Sequence, residues 1–135
     1  MNRRKSREVA MKLLFEMSIN KESSKDLLDS FKENTDIDLT DVDMEYVKRV
    51  LDRVEQEIKT IDNKIEENLI NWKLYRISKI DLAILRISTY EILYETDIPN
   101  KVSVNEGIEL AKKYSEEKSF QFINGVLGNM IKIND

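Results

Sequence analysis

The 135-residue chain has no cysteine and no histidine. Without Cys there is no disulfide and no thiolate chemistry, which fits a reducing compartment. Without either residue the common zinc ligands, general bases and covalent nucleophiles are missing as well. Pro99 is the only proline, and Gly107, Gly125 and Gly128 are the only glycines. Folds with many tight turns lean on these residues, so their scarcity favours long helices. No apolar run reaches the length of a membrane span, and the basic N-terminus has no apolar segment behind it to make a secretory leader. Neither G-x-G-x-x-G nor G-x-x-x-x-G-K-[ST] occurs, so the chain has no glycine-rich phosphate loop.

What is present is apolar residues at 41% and charged residues at 36%, a balance suited to one domain of half-wetted helices. The net charge of −4 hides an asymmetry. Arg3, Arg4, Lys5, Arg7 and Lys12 face only Glu8 within the first twelve residues, so a basic end precedes an acidic remainder. Arg and Lys clusters of this kind supply phosphate contacts to nucleic acid.

Ile80 to Tyr94 is the stretch round which the chain is organised. Ten of these fifteen residues are apolar. A helix apolar on nearly all sides belongs in a core. Other segments read as its coat. Val9, Ala10, Leu13, Leu14 and Met17 recur at helical spacing between Met1 and Asn20. Ser24 is placed to cap a short helix carrying Leu27, Leu28 and Phe31. Asp36 to Asp43 resembles a calcium loop only faintly, because its sixth position is Asp41 instead of Gly and its twelfth is Val47 instead of Glu. Thr40 with Asp43 reads better as a capping box. From Met44 a stripe runs through Val47, Val50, Leu51, Val54, Ile58, Ile61, Ile65 and Leu69, as one long helix or as two with a break near Thr60. Trp72 and Tyr75 lie in a connector, where packing is expected of them. Ser78 with Asp81, and Ser103 with Glu106, are further capping-box patterns. The turn at Pro99 ends the central helix. A last helix starts at Ser119, and close approach of another helix is expected at Gly125 and Gly128.

Carboxylate pairs are plentiful but fall on faces that read as solvated. Glu91 differs, because it lies within the apolar helix. It is either a rim residue in a salt bridge or a polar anchor for a protein partner. Binding, not catalysis, is the expected role; no catalytic residue, metal site or cofactor is expected.

Three motifs in order, RRKSREVAMKLLFEM, WKLYRISKIDLAILRISTYEILY and DIPNKVSVNEGIELAKKYSEEKSFQFINGVLGNM, resemble the NusB transcription antitermination family. The resemblance covers most of the chain. It implies an all-α fold of about seven helices in two small bundles round a central apolar helix, with subdomains at about 1–70 and 71–135. It implies a cytoplasmic factor that binds boxA-type single-stranded RNA of nascent ribosomal transcripts. The factor would act with the ribosomal protein NusE, in a complex that keeps RNA polymerase elongating. Carried over by position, the RNA contacts are Arg3, Arg4, Lys5, Arg7, Asn124 and Gly125, and the partner contacts are Phe15, Tyr90 and Glu91. Phe15 stands where the family usually has Tyr, and Gly128 where it usually has Asp. Two other readings are a NusB-like domain related to ribosomal RNA cytosine methyltransferases and a helical interaction module without RNA.

Overall fold

A computed structural model describes residues 1–132. Among these residues the chain is all-helical: α1 (Arg3–Asn20), α2 (Ser24–Asn34), α3 (Met44–Gln56), α4 (Ile58–Glu67), α5 (Lys79–Tyr94), α6 (Asn100–Tyr114) and α7 (Glu117–Lys132), with one 3₁₀ turn at Leu74–Arg76. None of these helices is long and apolar enough to cross a membrane. α5 is the expected centre. It packs against α1, α3, α4, α6 and α7, and buries Ala83, Ile84, Leu85, Ile87 and Tyr90.

Local chemistry explains most helix ends. Ser78 caps α5 by accepting from the Asp81 N–H, as the sequence pattern predicts. Other caps fall one step from the expected residue. Ser23, not Ser24, caps α2, and Asp43, not Thr40, caps α3. The break in the long stripe comes at Glu57, where backbone angles leave the helical region without a side-chain cap. α6 begins at Asn100 behind Pro99, which fits the first residue after a rigid φ. The Ser103 and Glu106 pair is therefore not a helix start. Both residues lie inside α6, and tertiary partners claim both side chains. α7 starts at Glu117, two residues before the expected Ser119.

The glycines also reverse expectation. A Cβ on Gly125 or Gly128 would meet nothing within 4 Å, so neither permits close helix packing. Gly107 does: a Cβ there would collide with the Ser88 hydroxyl of α5, and it would stand 3.0 Å from Leu127 of α7. This glycine lets α6 sit close to α5. Gly107→Ala is therefore expected to lower stability by about 1–3 kcal/mol. Gly125→Ala is expected to raise it by up to about 1 kcal/mol. Urea unfolding of the two variants checks the contrast.

Candidate nucleic-acid interface

The first four predicted RNA contacts sit on the first turns of α1. Their surroundings are acidic. Arg4 donates to Glu106 at 2.9 and 3.2 Å, and the Lys5 ammonium lies 3.1 Å from Asp41. The Arg3 guanidinium lies over the Tyr46 ring, 4.6 Å from its centroid. Arg7 is buried. Its Nε and Nη2 donate to the two Glu91 oxygens at 2.7 and 3.0 Å, and its Nη1 reaches Glu106 at 3.3 Å. Arg7, part of the basic cluster in sequence, thus faces the interior, in line with Ala10 and Leu14 on the same side of α1.

Glu91 is 1% exposed. Besides Arg7 it accepts from the Ser103 hydroxyl at 2.8 Å and from the Tyr46 hydroxyl. Burial, then the Glu91 charge beside it, hold the Tyr46 phenol well above its ordinary pKa, so it stays a donor. Four helices, α1, α3, α5 and α6, meet at this carboxylate. Tyr90 is buried too and donates to Glu95, which Arg49 clasps at 3.0 and 3.2 Å. Tyr90 and Glu91, expected at a partner surface, are thus both buried in this fold. Glu91 is held by α1, α3 and α6, and the Tyr90 hydroxyl by Glu95 at the end of its own helix. Arg7, expected as an RNA contact, is likewise buried. Arg86, the other charge of α5, pairs with Asp62 of α4 at 2.8 and 2.9 Å. Phe15 stays half-buried on α1.

A different surface has what the N-terminus lacks. After α4, Asn71 adopts a left-handed conformation (φ 55°), which Asn tolerates better than most residues, and turns the chain outward. In the 3₁₀ turn that follows, Leu74 packs against the core and Ile77, three residues on, is buried. Tyr75 and Arg76 are left outside. Trp72 is 44% exposed and Tyr75 80% exposed, so the packing expected of them is corrected. Trp72 meets Phe122 of α7, with centroids 6.5 Å apart and rings tilted at 60°. A groove of about 330 Å³ runs between them, flanked by Arg76 and Lys118. Lys73, Arg76, Lys79 and Lys118 are exposed, and no acid pairs with any of them among the described residues. On α7, Ile123, Val126, Leu127 and Met130 point inward. Asn124 and Gly125 lie on the outward side, and Lys118, Phe122 and Gly125 share one row at helical spacing. Open space at Gly125 leaves the backbone there accessible. Aromatic faces beside unpaired cations suit single-stranded nucleic acid, because bases stack on rings while cations meet phosphates. The signal in the sequence was the alternation of aromatic and basic residues in WKLYR.

A model of the NusB family matches residues 4–132. The chain belongs to the NusB family. Transcription antitermination protein NusB of Clostridium novyi is 67% identical over 132 residues, covering 98% of this chain and 99% of the relative. The protein of the same name from Clostridium acetobutylicum is 55% identical over 135 residues, covering 100% and 98%. Among solved structures, T. maritima NusB aligns with a TM-score of 0.83 at 34% identity, covering 98% of this chain and 92% of that one. A chain of the crystal structure of antitermination factors NusB and NusE in complex with dsRNA aligns at 0.84 and 27% identity, covering 97% and 96%. The seven-helix, strand-free architecture of the described residues is thus the NusB fold.

Three outcomes test the buried Arg7–Glu91 pair of this NusB-family chain. Glu91→Gln is expected to cost about 3–5 kcal/mol by stranding Arg7 in the interior. Glu91→Arg should fail to fold, because it sets two cations together in that interior. A double-mutant cycle of Arg7→Ala with Glu91→Ala should show coupling of about 0.5–3 kcal/mol in urea denaturation. Glu95 supplies a pH dependence. Burial raises its carboxyl pKa, but hydrogen bonds from Arg49 and Tyr90 outweigh this and leave it below the ordinary 4.5. Its stabilisation is therefore full above the unfolded value and is lost as pH falls through the lower folded value. Melting temperature should fall less between about pH 5 and pH 2 in Glu95→Gln than in the parent, as circular dichroism would report.

Proposed function

We propose that this chain is a non-enzymatic transcription antitermination factor of the cytoplasm. It binds boxA-type single-stranded RNA of nascent ribosomal transcripts, together with the ribosomal protein NusE, and so helps keep RNA polymerase elongating. The observation that carries the reading is the exposed Trp72–Phe122 pair set among the unpaired Arg76, Lys73 and Lys118. The structural neighbour in which NusB and NusE are complexed with RNA supports it.

In this mechanism bases stack against Trp72, Phe122 and Tyr75, and the surrounding cations neutralise phosphates. Asn124, with its amide on the open face of α7, offers donors and acceptors to a base edge. The backbone at Gly125 admits close approach. Arg3, Arg4 and Lys5 contribute less. Arg4 and Lys5 already hold acids, so a phosphate there replaces a carboxylate, where an unpaired cation would release counterions. Phe15 remains the partner-contact candidate of the three, since part of it stays at the surface.

Trp72→Ala and Phe122→Ala should each weaken binding of a boxA RNA by about 1–3 kcal/mol, the range for one stacked base. Arg76→Ala and Lys118→Ala should each reduce the slope of log affinity against log salt by about 0.7. Arg4→Ala should reduce it by less. Fluorescence titration with and without NusE measures all of these. Unchanged affinity in both aromatic variants would overturn the assignment of this surface, and an affinity that NusE does not raise would overturn the joint mechanism.

A further inference from the structure

A second cationic surface lies on α3 and α5, where the sequence pattern drew no attention. Tyr46, Arg49 and Arg53 stand at three- and four-residue steps along one side of α3. Arg3 and Arg49 both lie over the Tyr46 ring, 4.6 and 5.9 Å from its centroid. Arg53 lies over the ring of Tyr94, at 4.5 Å. Tyr94 in turn stacks obliquely on Tyr90, with centroids 5.9 Å apart. The result is a continuous arginine–tyrosine row along a shallow groove of about 250 Å³ beside α5.

Stacking on a ring fixes a guanidinium plane and leaves its N–H edge free for an oxyanion. The donors in this row are incompletely used. Arg53 is exposed and makes no ion pair. Arg49 spends Nε and Nη2 on Glu95 and keeps Nη1. Arg3 Nη1 is buried and has no hydrogen-bond partner, a costly condition for a charged group. The acids nearby are committed: Glu95 to Arg49 and Tyr90, and Asp52 to Lys48 at 2.6 Å and to Ser24. Three arginines against one clasped Glu95 leave a local positive excess on a chain of net charge −4.

We propose that this row is a second phosphate-binding surface, which holds the backbone of single-stranded RNA outside the segment stacked at Trp72 and Phe122. The inference rests on the RNA-binding reading above. Phosphate is the favoured ligand because the planar guanidinium fork matches it in two-point contact. Arg49 and Arg53 lie one helical turn apart, about 6 Å, which places the free fork of Arg53 and the remaining Nη1 of Arg49 along an extended strand.

The test compares RNAs of about 12 and about 30 nucleotides, both containing boxA, the shorter matching one single-strand site. The parent chain should bind the longer RNA more tightly and with a steeper salt slope. The double variant Arg3→Gln/Arg53→Gln should lose about tenfold in affinity for the longer RNA, and about 1.4 in slope, 0.7 for each phosphate contact. Arg53→Gln should bind the shorter RNA as the parent does. Arg53→Gln alone, at an exposed position that holds no ion pair, should show half the slope change with an unaltered melting temperature. Equal loss on both RNAs, or no loss on either, would overturn the proposal. Failure of the parent to bind even the short RNA would instead overturn the reading on which it rests. A poly-glutamate peptide binding the parent as tightly as the longer RNA does, with the same loss on Arg53→Gln, would identify an acidic protein as the ligand and overturn the RNA assignment.

Discussion

A carboxylate on the most apolar helix is the constraint on which this structure depends. Glu91 is buried in α5, and an unpaired charge there would be prohibitively costly. Arg7 neutralises it through a two-point contact, and the hydroxyls of Tyr46 and Ser103 complete its hydrogen bonding. The four helices that carry these groups meet at the charge. Hydrophobic burial drives α1, α3 and α6 onto α5 without choosing a rotation. The ion pair adds directional contacts at their junction. Gly107 adds a steric condition to the same junction, since α6 reaches its distance from α5 only where a Cβ is absent.

That constraint redistributes the positive charge available for function. The first turns of α1 hold the densest cation cluster of the chain, yet Arg7 goes to the interior and Arg4 and Lys5 are answered by Glu106 and Asp41. Cations already paired to acids add little to polyanion binding, because fewer counterions are freed. Cations without an acid partner stand round Trp72 and Phe122, and Arg53 stands unpaired on α3. The proposed RNA surfaces therefore extend beyond the place where charge density in the sequence is highest, to where the fold leaves cations unpaired beside aromatic rings.

Both surfaces arise from features that look like defects in a stability account. The connector exposes Trp72 and Tyr75, although folding normally hides large aromatic groups. The left-handed Asn71 and the short 3₁₀ turn force this outcome, because only Leu74 and Ile77 can reach the core at a three-residue repeat. Gly125 and Gly128 weaken α7 and serve no packing role, but they keep its outer face low beside Phe122. Loops and exposed rings held by a rigid helical frame are the usual site of recognition.

Periodicity alone determined the all-helical class, the central position of α5, the amphipathic faces of α1, α3 and α7, and the cap at Ser78. These follow from local repeats of three and four residues and from hydrogen bonds that span one turn, so nearby residues suffice to read them. The WKLYR alternation, too, contained the aromatic surface, although burial could not be read from it. Only the tertiary structure decided the fate of the polar groups whose partners lie far along the chain. Ser103 and Glu106 carry the spacing of a capping box, yet they answer Glu91, Arg4 and Arg7. Arg7 and Glu91 are 84 positions apart, and each looked like a surface residue until the other was placed beside it. A charge is read as exposed by default because burial is costly, and that default fails where a distant segment brings the opposite charge.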